Sequence, residues 1–200
     1  ANTVTVSNIE TVTGNSSNDV VVIATALTGR VDLAAGTDTL TLGDFANTVT
    51  VLNTETVTGG TSSDVITIGA SQSTGVINLG AGTDSVTFGA FNTTVTVTNV
   101  ETITGGASSE TITLGSAVTS GTIDLAGGTD KITLGAFANT VTLSNIETIT
   151  GGALGDVVTL GTSVTGTINL GFGTDTLNLG AFANTVTVSN IETVTGNSSN

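Results

Sequence analysis

Polar and apolar residues alternate along short stretches of the chain, and most of the apolar positions hold β-branched residues. In 46–91, the segments 48–51 (TVTV), 65–68 (VITI) and 85–88 (SVTF) have this period of two, and Gly, Ser and Asn separate them. Such alternation is typical of β-strands with one buried face. No stretch has the 3.6-residue period of an amphipathic helix. The pattern predicts an all-β protein with no helices.

This strand pattern recurs about every 45 residues, a spacing typical of repeat proteins. Four full repeats and one partial repeat follow one another: 1–45, 46–91, 92–137, 138–182 and 183–200. The partial repeat matches 1–18 letter for letter, so a longer period, from Ala1 to Ala183, is superimposed on the short one. Self-similarity at a fixed period indicates a solenoid, in which each repeat packs on its neighbours. We therefore predict a single continuous parallel β-solenoid (β-roll or β-helix type) over 1–200.

Five short strands per repeat leave two coil arrangements open. Alignment of 55–74 with 75–100 predicts two coils of unequal length, with 93–97 as an additional side of the longer one, and we expect this arrangement. The alternative has two strands in each coil of about 18 residues, hence two and a half coils per repeat. At ~4.8 Å per coil, the first gives a rise of ~9.6 Å per repeat and the second ~12 Å.

Three residue sets recur once per repeat, and each has an expected place in the solenoid. Asn is expected at one equivalent corner of each repeat, because it tolerates left-handed backbone. Like residues of successive coils are expected to stack on one another in ladders. The Phe residues at the repeat boundaries are expected to fill a core corner, and a set of Glu residues is expected to be solvated on the outer face. The sets are Asn8, Asn53, Asn99, Asn145 and Asn190; Phe45, Phe91, Phe137 and Phe182; and Glu10, Glu55, Glu101, Glu147 and Glu192.

Composition and charge exclude several classes of function. The net charge is −14, and Arg30 and Lys131 are the only basic side chains, so nucleic acid and anionic lipid are not expected as partners. No apolar run reaches the ~20 residues that span a membrane. His and Cys are absent, so no His-based catalytic triad is available, and Trp and Tyr, which present platforms to sugars, are missing too. We expect a protein that is not an enzyme.

Two acidic turns per repeat are the one chemically suggestive feature. The first has the pattern G-G-x-S-x-D and the second x-G-x-G-x-D, and a large apolar residue follows two positions later. The acidic residue of the first turn pairs with that of the second, which lies close to one coil further along the chain. The pairs are Asp19 with Asp38, Asp64 with Asp84, Glu110 with Asp130, and Asp156 with Asp175.

These turns resemble the G-G-x-G-x-D-x-U-x nonapeptide of RTX proteins, the calcium-binding β-roll repeats of secreted bacterial proteins. The resemblance implies Ca²⁺ between the paired turns, held by turn carbonyls and the eight acidic side chains. The chain departs from the pattern where Ser or Leu replaces the fourth-position Gly, as at Ser62 and Leu154, and where Glu110 replaces Asp. We therefore expect Asp156/Asp175 to be the weakest site and Glu110/Asp130 the next weakest. The alternative is that these carboxylates close turns through their own side chains.

Repetition without a unique pocket favours a structural function. The composition resembles that of surface-layer and secreted repeat proteins, which implies an extracellular or cell-surface rod or filament, such as a surface layer, a matrix fibre or an adhesin stalk. Since the first and last segments are identical, we expect one length of a continuous rod, joined head to tail with itself or within a longer chain. The alternative is an ice-binding module that uses Thr-x-Thr ranks such as Thr48/Thr50, Thr140/Thr142 and Thr185/Thr187.

Overall fold

The computed structural model describes residues 1–196, so 197–200, the end of the partial repeat, lie outside it. Within 1–196 there are 22 strands and no helix, and the strands form two parallel 11-stranded sheets, which we call A and B. Sheet A contains, in hydrogen-bonded order, β1 (Thr3–Val6), β3 (Val20–Ile23), β5 (Thr39–Thr41), β7 (Thr56–Thr58), β9 (Gly75–Asn78), β11 (Thr93–Thr98), β13 (Glu110–Leu114), β15 (Lys131–Thr133), β17 (Thr148–Gly152), β19 (Thr165–Gly171) and β21 (Thr185–Ser189). Sheet B contains β2 (Thr11–Asn15), β4 (Thr28–Ala34), β6 (Thr48–Leu52), β8 (Val65–Ile68), β10 (Ser85–Phe88), β12 (Thr102–Thr104), β14 (Gly121–Asp124), β16 (Thr140–Ser144), β18 (Val157–Leu160), β20 (Thr176–Asn178) and β22 (Thr193–Thr195). The predicted all-β, parallel solenoid is confirmed.

The chain alternates between the two sheets, so each coil has two strands. Register partners in neighbouring coils are Thr3 with Val20, Val20 with Thr39, and Thr56 with Val76, which makes the coils nearly equal in length. The expected pair of unequal coils is therefore wrong, and the alternative of two and a half coils per repeat is correct. The segment 93–97 is not an additional side, because it belongs to β11, which pairs with β9 and β13. Two-stranded coils give every internal strand a partner on both sides.

Aliphatic side chains fill the space between the sheets. Along sheet A, Leu40, Val57, Ile77, Val97 and Leu114 stack in register, and each is at most 2% exposed. Burial of such a side chain is worth about 1.5–3 kcal/mol, which makes this continuous ladder the main source of stability. The expected ladders of like residues are therefore present inside the solenoid, as stacked aliphatic side chains.

The recurring Asn residues lie at corners with left-handed backbone, as expected, with φ between 49° and 54°. They do not form one ladder, because Asn8 follows a strand of sheet A whereas Asn53 follows a strand of sheet B. The four Asn residues after Asn8 hydrogen-bond instead to an Asp or Asn one coil earlier. The Asn53 carboxamide donates to Asp32 Oδ1 at 2.8 Å, and that of Asn99 donates to Asn78 Oδ1 at 2.9 Å.

The boundary Phe residues do not fill a core corner. Phe45, Phe91 and Phe182 are 40–43% exposed. The Phe45 ring lies over Gly43, where a β-carbon would be 3.1 Å from the ring, and the Phe45 N–H donates to the Gly43 carbonyl at 2.8 Å. The aromatic ring therefore covers a turn, because the narrow space between the sheets is already filled by aliphatic side chains.

Residues 1–196 contain no helix that is long and apolar enough to cross a membrane.

Candidate functional site

Acidic side chains stack along both edges of the solenoid, at or just before the first residue of about half of the strands. In the set Asp64, Asp84 and Glu101, each carboxylate accepts a hydrogen bond from the backbone N–H of the residue one coil earlier. Asp64 N–H donates to Asp84 Oδ1 at 2.7 Å, and Asp84 N–H donates to Glu101 Oε2 at 2.8 Å. The first acid accepts from Asn47, at 3.0 Å from the backbone N and 2.8 Å from Nδ2. We call such a set an acid ladder.

Four acid ladders alternate between the two edges. Their acidic members are Asp19, Asp38 and Glu55; Asp64, Asp84 and Glu101; Glu110, Asp130 and Glu147; and Asp156, Asp175 and Glu192. The N–H to carboxylate distances within them are 2.6–2.8 Å. The alternation follows from the half-integral number of coils per repeat, which places equivalent residues on opposite edges.

The structure brings the two members of every predicted acidic pair together, one coil apart. It also adds residues that the sequence reasoning missed. Glu55, Glu101 and Glu147 are half-buried members of the ladders and not solvated outer-face carboxylates. The signal in the sequence was the spacing from Asp84 to Glu101, which equals one short coil.

The paired carboxylates are buried, and most have one oxygen without a hydrogen-bond partner. All eight residues are at most 2% exposed. The buried oxygens without a partner are Asp38 Oδ2, Asp64 Oδ2, Asp84 Oδ2, Glu110 Oε1, Asp130 Oδ2, Asp156 Oδ2 and Asp175 Oδ2. Leaving such an atom unpaired costs free energy, and the cost is greatest when the group is charged.

Burial disfavours the charged form of these carboxylates. It raises the pKa of Asp84 to about 6, opposed by the Asp64 N–H and reinforced by the charges of Asp64 and Glu101. Burial, with the charge of Asp130, raises the pKa of Glu110 to about 7. At Asp19, burial raises the pKa, but hydrogen bonds from the amides of Asn2 and Asn15 outweigh it, so the pKa is lowered.

The two basic residues do not neutralise the acid ladders. Arg30 forms an ion pair with Asp32 at 2.7 Å on the outside of sheet B, with 47% of the Arg side chain exposed. An exposed pair of this kind contributes about 0–1 kcal/mol. Within 1–196, neither Arg30 nor Lys131 forms an ion pair with a carboxylate of the ladders.

The carboxylates of each pair join neighbouring coils, because the second member accepts the backbone N–H of the first. Asp19 and Glu110 also close their own turns, by accepting the backbone N–H of Asn15 and of Gly106. Ca²⁺ requires 6–8 oxygen ligands, whereas in each pair one carboxylate oxygen already faces a backbone N–H donor. No group of three or more acidic, His or Cys side chains within 1–196 is arranged to hold a metal ion. The side chain of Leu154 is 52% exposed, so it does not fill the Asp156 turn. Calcium at these pairs stays a prediction.

Melting experiments test the calcium prediction. If ions bind the folded chain at the paired turns, Ca²⁺ should raise the melting temperature and a chelator should lower it, since binding to the native state alone stabilises it. Asp64→Asn should reduce this response, whereas Asp44→Asn, in an exposed turn, is the matched control. Identical melting curves with Ca²⁺ and with the chelator would leave the carboxylates with hydrogen bonds to the backbone as their only role.

The outer faces of the two sheets are the second candidate surface. Both consist mostly of ranks of hydroxyl side chains one coil apart. The central rank of sheet A is Thr3, Val20, Thr39, Thr56, Val76, Thr96, Thr113, Thr133, Thr150 and Asn169. A rank of sheet B is Thr28, Thr48, Val65, Ser85, Thr102, Thr122, Thr142, Thr159 and Asn178. The charged side chains on these faces are Lys131 on sheet A and Arg30, Asp32 and Asp124 on sheet B.

Comparison of the chain with protein-family models, with curated proteins and with solved structures finds no match in any of the three. No relative therefore suggests a function, and the likeness to RTX turns remains a resemblance between motifs. Function is inferred below from the two surfaces just described, the buried acid ladders and the hydroxyl faces.

Proposed function

We propose that the chain is a structural segment of a bacterial extracellular repeat protein, forming part of a rod or filament such as a surface layer, a matrix fibre or an adhesin stalk. Its partner in this function is itself, along the solenoid axis or within a longer chain. Calcium that stabilises the acid ladders is compatible with this proposal but not required by it. We propose no enzymatic activity, nucleic-acid partner or membrane insertion.

The observation that carries the proposal is the uniformity of the coils. Every internal strand pairs with the strands one coil before and after it, and the same ladders and hydroxyl ranks recur along the axis. A solenoid of this kind gains length without new types of contact, because each coil contacts only its neighbours. Within 1–196, these repeated features are spread along the axis and do not meet in one cleft, which is the arrangement expected of a spacer.

Immunogold labelling of cells that produce the protein tests the proposal. Antibodies raised against residues 1–200 should place gold on the cell surface or on extracellular fibres. The control is the same labelling of cells that lack the gene. Gold confined to the cell interior would contradict the extracellular function.

The ranks of Thr on the outer faces support a second candidate, an ice-binding module. Thr94 and Thr96 of β11 lie in register with Thr111 and Thr113 of β13, which gives a two-by-two array of hydroxyls. Because such arrays occur on both sheets, no single face is distinguished, and strand propensity accounts for them equally. We expect no thermal hysteresis and no shaping of ice crystals at micromolar protein. Ice shaping that Thr96→Leu abolishes would establish the ice-binding function instead.

A further inference from the structure

Equivalent surfaces of the solenoid lie on opposite sides of it. The strands that begin each repeat alternate between the sheets: β6 and β16 belong to sheet B, whereas β1, β11 and β21 belong to sheet A. One repeat is therefore related to the next by a half-turn about the axis combined with a shift of two and a half coils. Any contact that one outer face can make is consequently available on the other face too.

Two shallow grooves show this relation directly. One, of about 250 Å³ on sheet A, is lined by residues that include Gly75, Thr94 and Thr96. The other, of about 220 Å³ on sheet B, is lined by the equivalent residues of the next repeat, which include Gly121. No charged side chain lines either groove. At these grooves, the two faces therefore present the same uncharged surface, rich in hydroxyl groups.

Charge is concentrated at the edges and nearly absent from the faces. Of the 16 acidic residues, only Asp32 and Asp124 lie on an outer face, and the others lie in or beside the edge turns. From β1 to β13, the face of sheet A carries no charged side chain that points outward. Contact between the edges of two solenoids would bring like charges together, whereas contact between two faces would not.

The area of a face is sufficient for a stable contact. Eleven strands at ~4.8 Å, each about five residues of ~3.3 Å, give a face of roughly 850 Å². A standard protein interface buries about 800 Å² on each partner. Rows of identical β-branched side chains on parallel strands are also the kind of surface that interdigitates into a dry contact between sheets.

We propose that the outer faces of sheets A and B are lateral docking surfaces for further copies of this chain. The proposal rests on the structural function proposed above and specifies how neighbouring rods associate. Since each copy has two equivalent faces, a third copy can add to a pair of copies. Association therefore continues into stacked ribbons and does not stop at a dimer. The acid-rich edges limit lateral growth to this one direction.

The test compares charge added to one face, to both faces or to the edges. In one variant Thr56→Glu and Thr111→Glu block sheet A, and a second adds Thr87→Glu and Thr122→Glu to block sheet B as well. The matched control for the first variant, Thr61→Glu with Thr129→Glu, adds the same two charges to exposed turns at the edges. Mass is measured by light scattering and sedimentation over a range of protein concentrations.

For the parent chain and the edge control, we expect the mass to rise with concentration beyond twice the 19.5 kDa of one chain. The variant blocked on sheet A should stop at twice that mass, and the variant blocked on both faces should stay at a single mass. Circular dichroism verifies that each variant is folded. If the variant with Thr56→Glu and Thr111→Glu is unfolded, Thr56→Lys with Thr111→Lys replaces it. Fibres of the parent chain should give a lateral spacing of ~20 Å, from two sheet separations of ~10 Å.

Two results would overturn the proposal. The first is a parent chain that remains monomeric at its highest soluble concentration. The second is an edge control that loses association as completely as the face variants, since this would reveal general charge repulsion. Neither result affects the immunogold labelling. Lateral docking can therefore fail while the extracellular structural function is supported, and the extracellular function can fail while lateral docking is supported.

Discussion

The solenoid is expected to become more stable as the pH falls from about 8 to about 5, in contrast to most proteins whose carboxylates form favourable ion pairs. The reason is that Asp84 and Glu110 are buried beside other carboxylates, which raises their pKa to about 6 and about 7. Asp84 faces Asp64 and Glu101, and Glu110 faces Asp130. The pKa values of Asp38, Asp130 and Asp156 are also raised, each mainly by burial.

The sign follows from the number of protons that each state binds. The ordinary pKa values are 3.8 for Asp84 and 4.5 for Glu110, so the native state holds more protons than the unfolded state between about pH 4 and about pH 7. The resulting stabilisation is fully present below the unfolded pKa and is lost as the pH rises through the folded pKa. Since one pKa unit corresponds to about 1.4 kcal/mol, the two groups contribute on the order of 2–3 kcal/mol each. The lowered pKa values of Asp19 and Asp32 act in the opposite sense, and only as the pH falls below about 4.

Denaturant unfolding at several pH values, with a chelator present, measures this effect. Asp84→Asn and Glu110→Gln should each flatten the pH dependence and raise the stability at pH 8. A carboxamide fits the ladder, because Asn47 Oδ1 already accepts the Leu27 N–H at 2.9 Å in such a position. Asp44→Asn, which lies outside the ladders, should leave the slope unchanged. Stability that is constant or that rises from pH 5 to pH 8 in the parent chain would refute the explanation.

The fold could be predicted from the sequence because two independent patterns agree. Alternation of polar and apolar residues in segments such as 48–51 specifies strands with one buried face. The regular recurrence of the repeats specifies that equivalent strands stack on one another in successive coils. The number of coils could not be predicted in the same way. Five strands per repeat is an odd number, so two-stranded coils require successive repeats to change sides. Only the pairing of β11 with β9 and β13 reveals that they do.

The candidate site was predicted in part for a similar reason. Asp64 and Asp84 lie about one coil apart in similar turns, so their proximity could be predicted from spacing alone. Glu101 lies only 17 residues beyond Asp84, whereas Asp84 lies 20 beyond Asp64, and the sequence around Glu101 resembles an ordinary strand start. Its membership therefore depends on one coil being three residues shorter than the coil before it. The unpaired oxygen of Asp84 depends on the depth of the turn between neighbouring coils, a tertiary property that no local pattern encodes.

Gly166→Ala is expected to be among the most disruptive small substitutions in the chain. A β-carbon at Gly166 would lie 2.0 Å from the carbonyl oxygen of Glu147, one coil earlier. The same carbonyl accepts the Thr167 N–H at 2.8 Å, so neither backbone can move away without breaking a hydrogen bond between coils. Overpacking costs about 1–3 kcal/mol in ordinary cores, and here the obstacle is backbone, so we expect a loss of about 3 kcal/mol or more in the free energy of unfolding.

Gly127→Ala is the matched control, since it makes the same chemical change in a turn where the nearest atom, Ala107 Cα, is 4.0 Å from the added carbon. It should be neutral or stabilise by about 0.4–1 kcal/mol, because alanine restricts the unfolded chain. Hydrogen exchange should locate the damage. In a solenoid each coil depends on its neighbours, so protection should be lost in β17 and β19 and kept in β5 and β7. If Gly166→Ala unfolds at the same denaturant concentration as Gly127→Ala, the close approach of these coils is not a constraint on the fold.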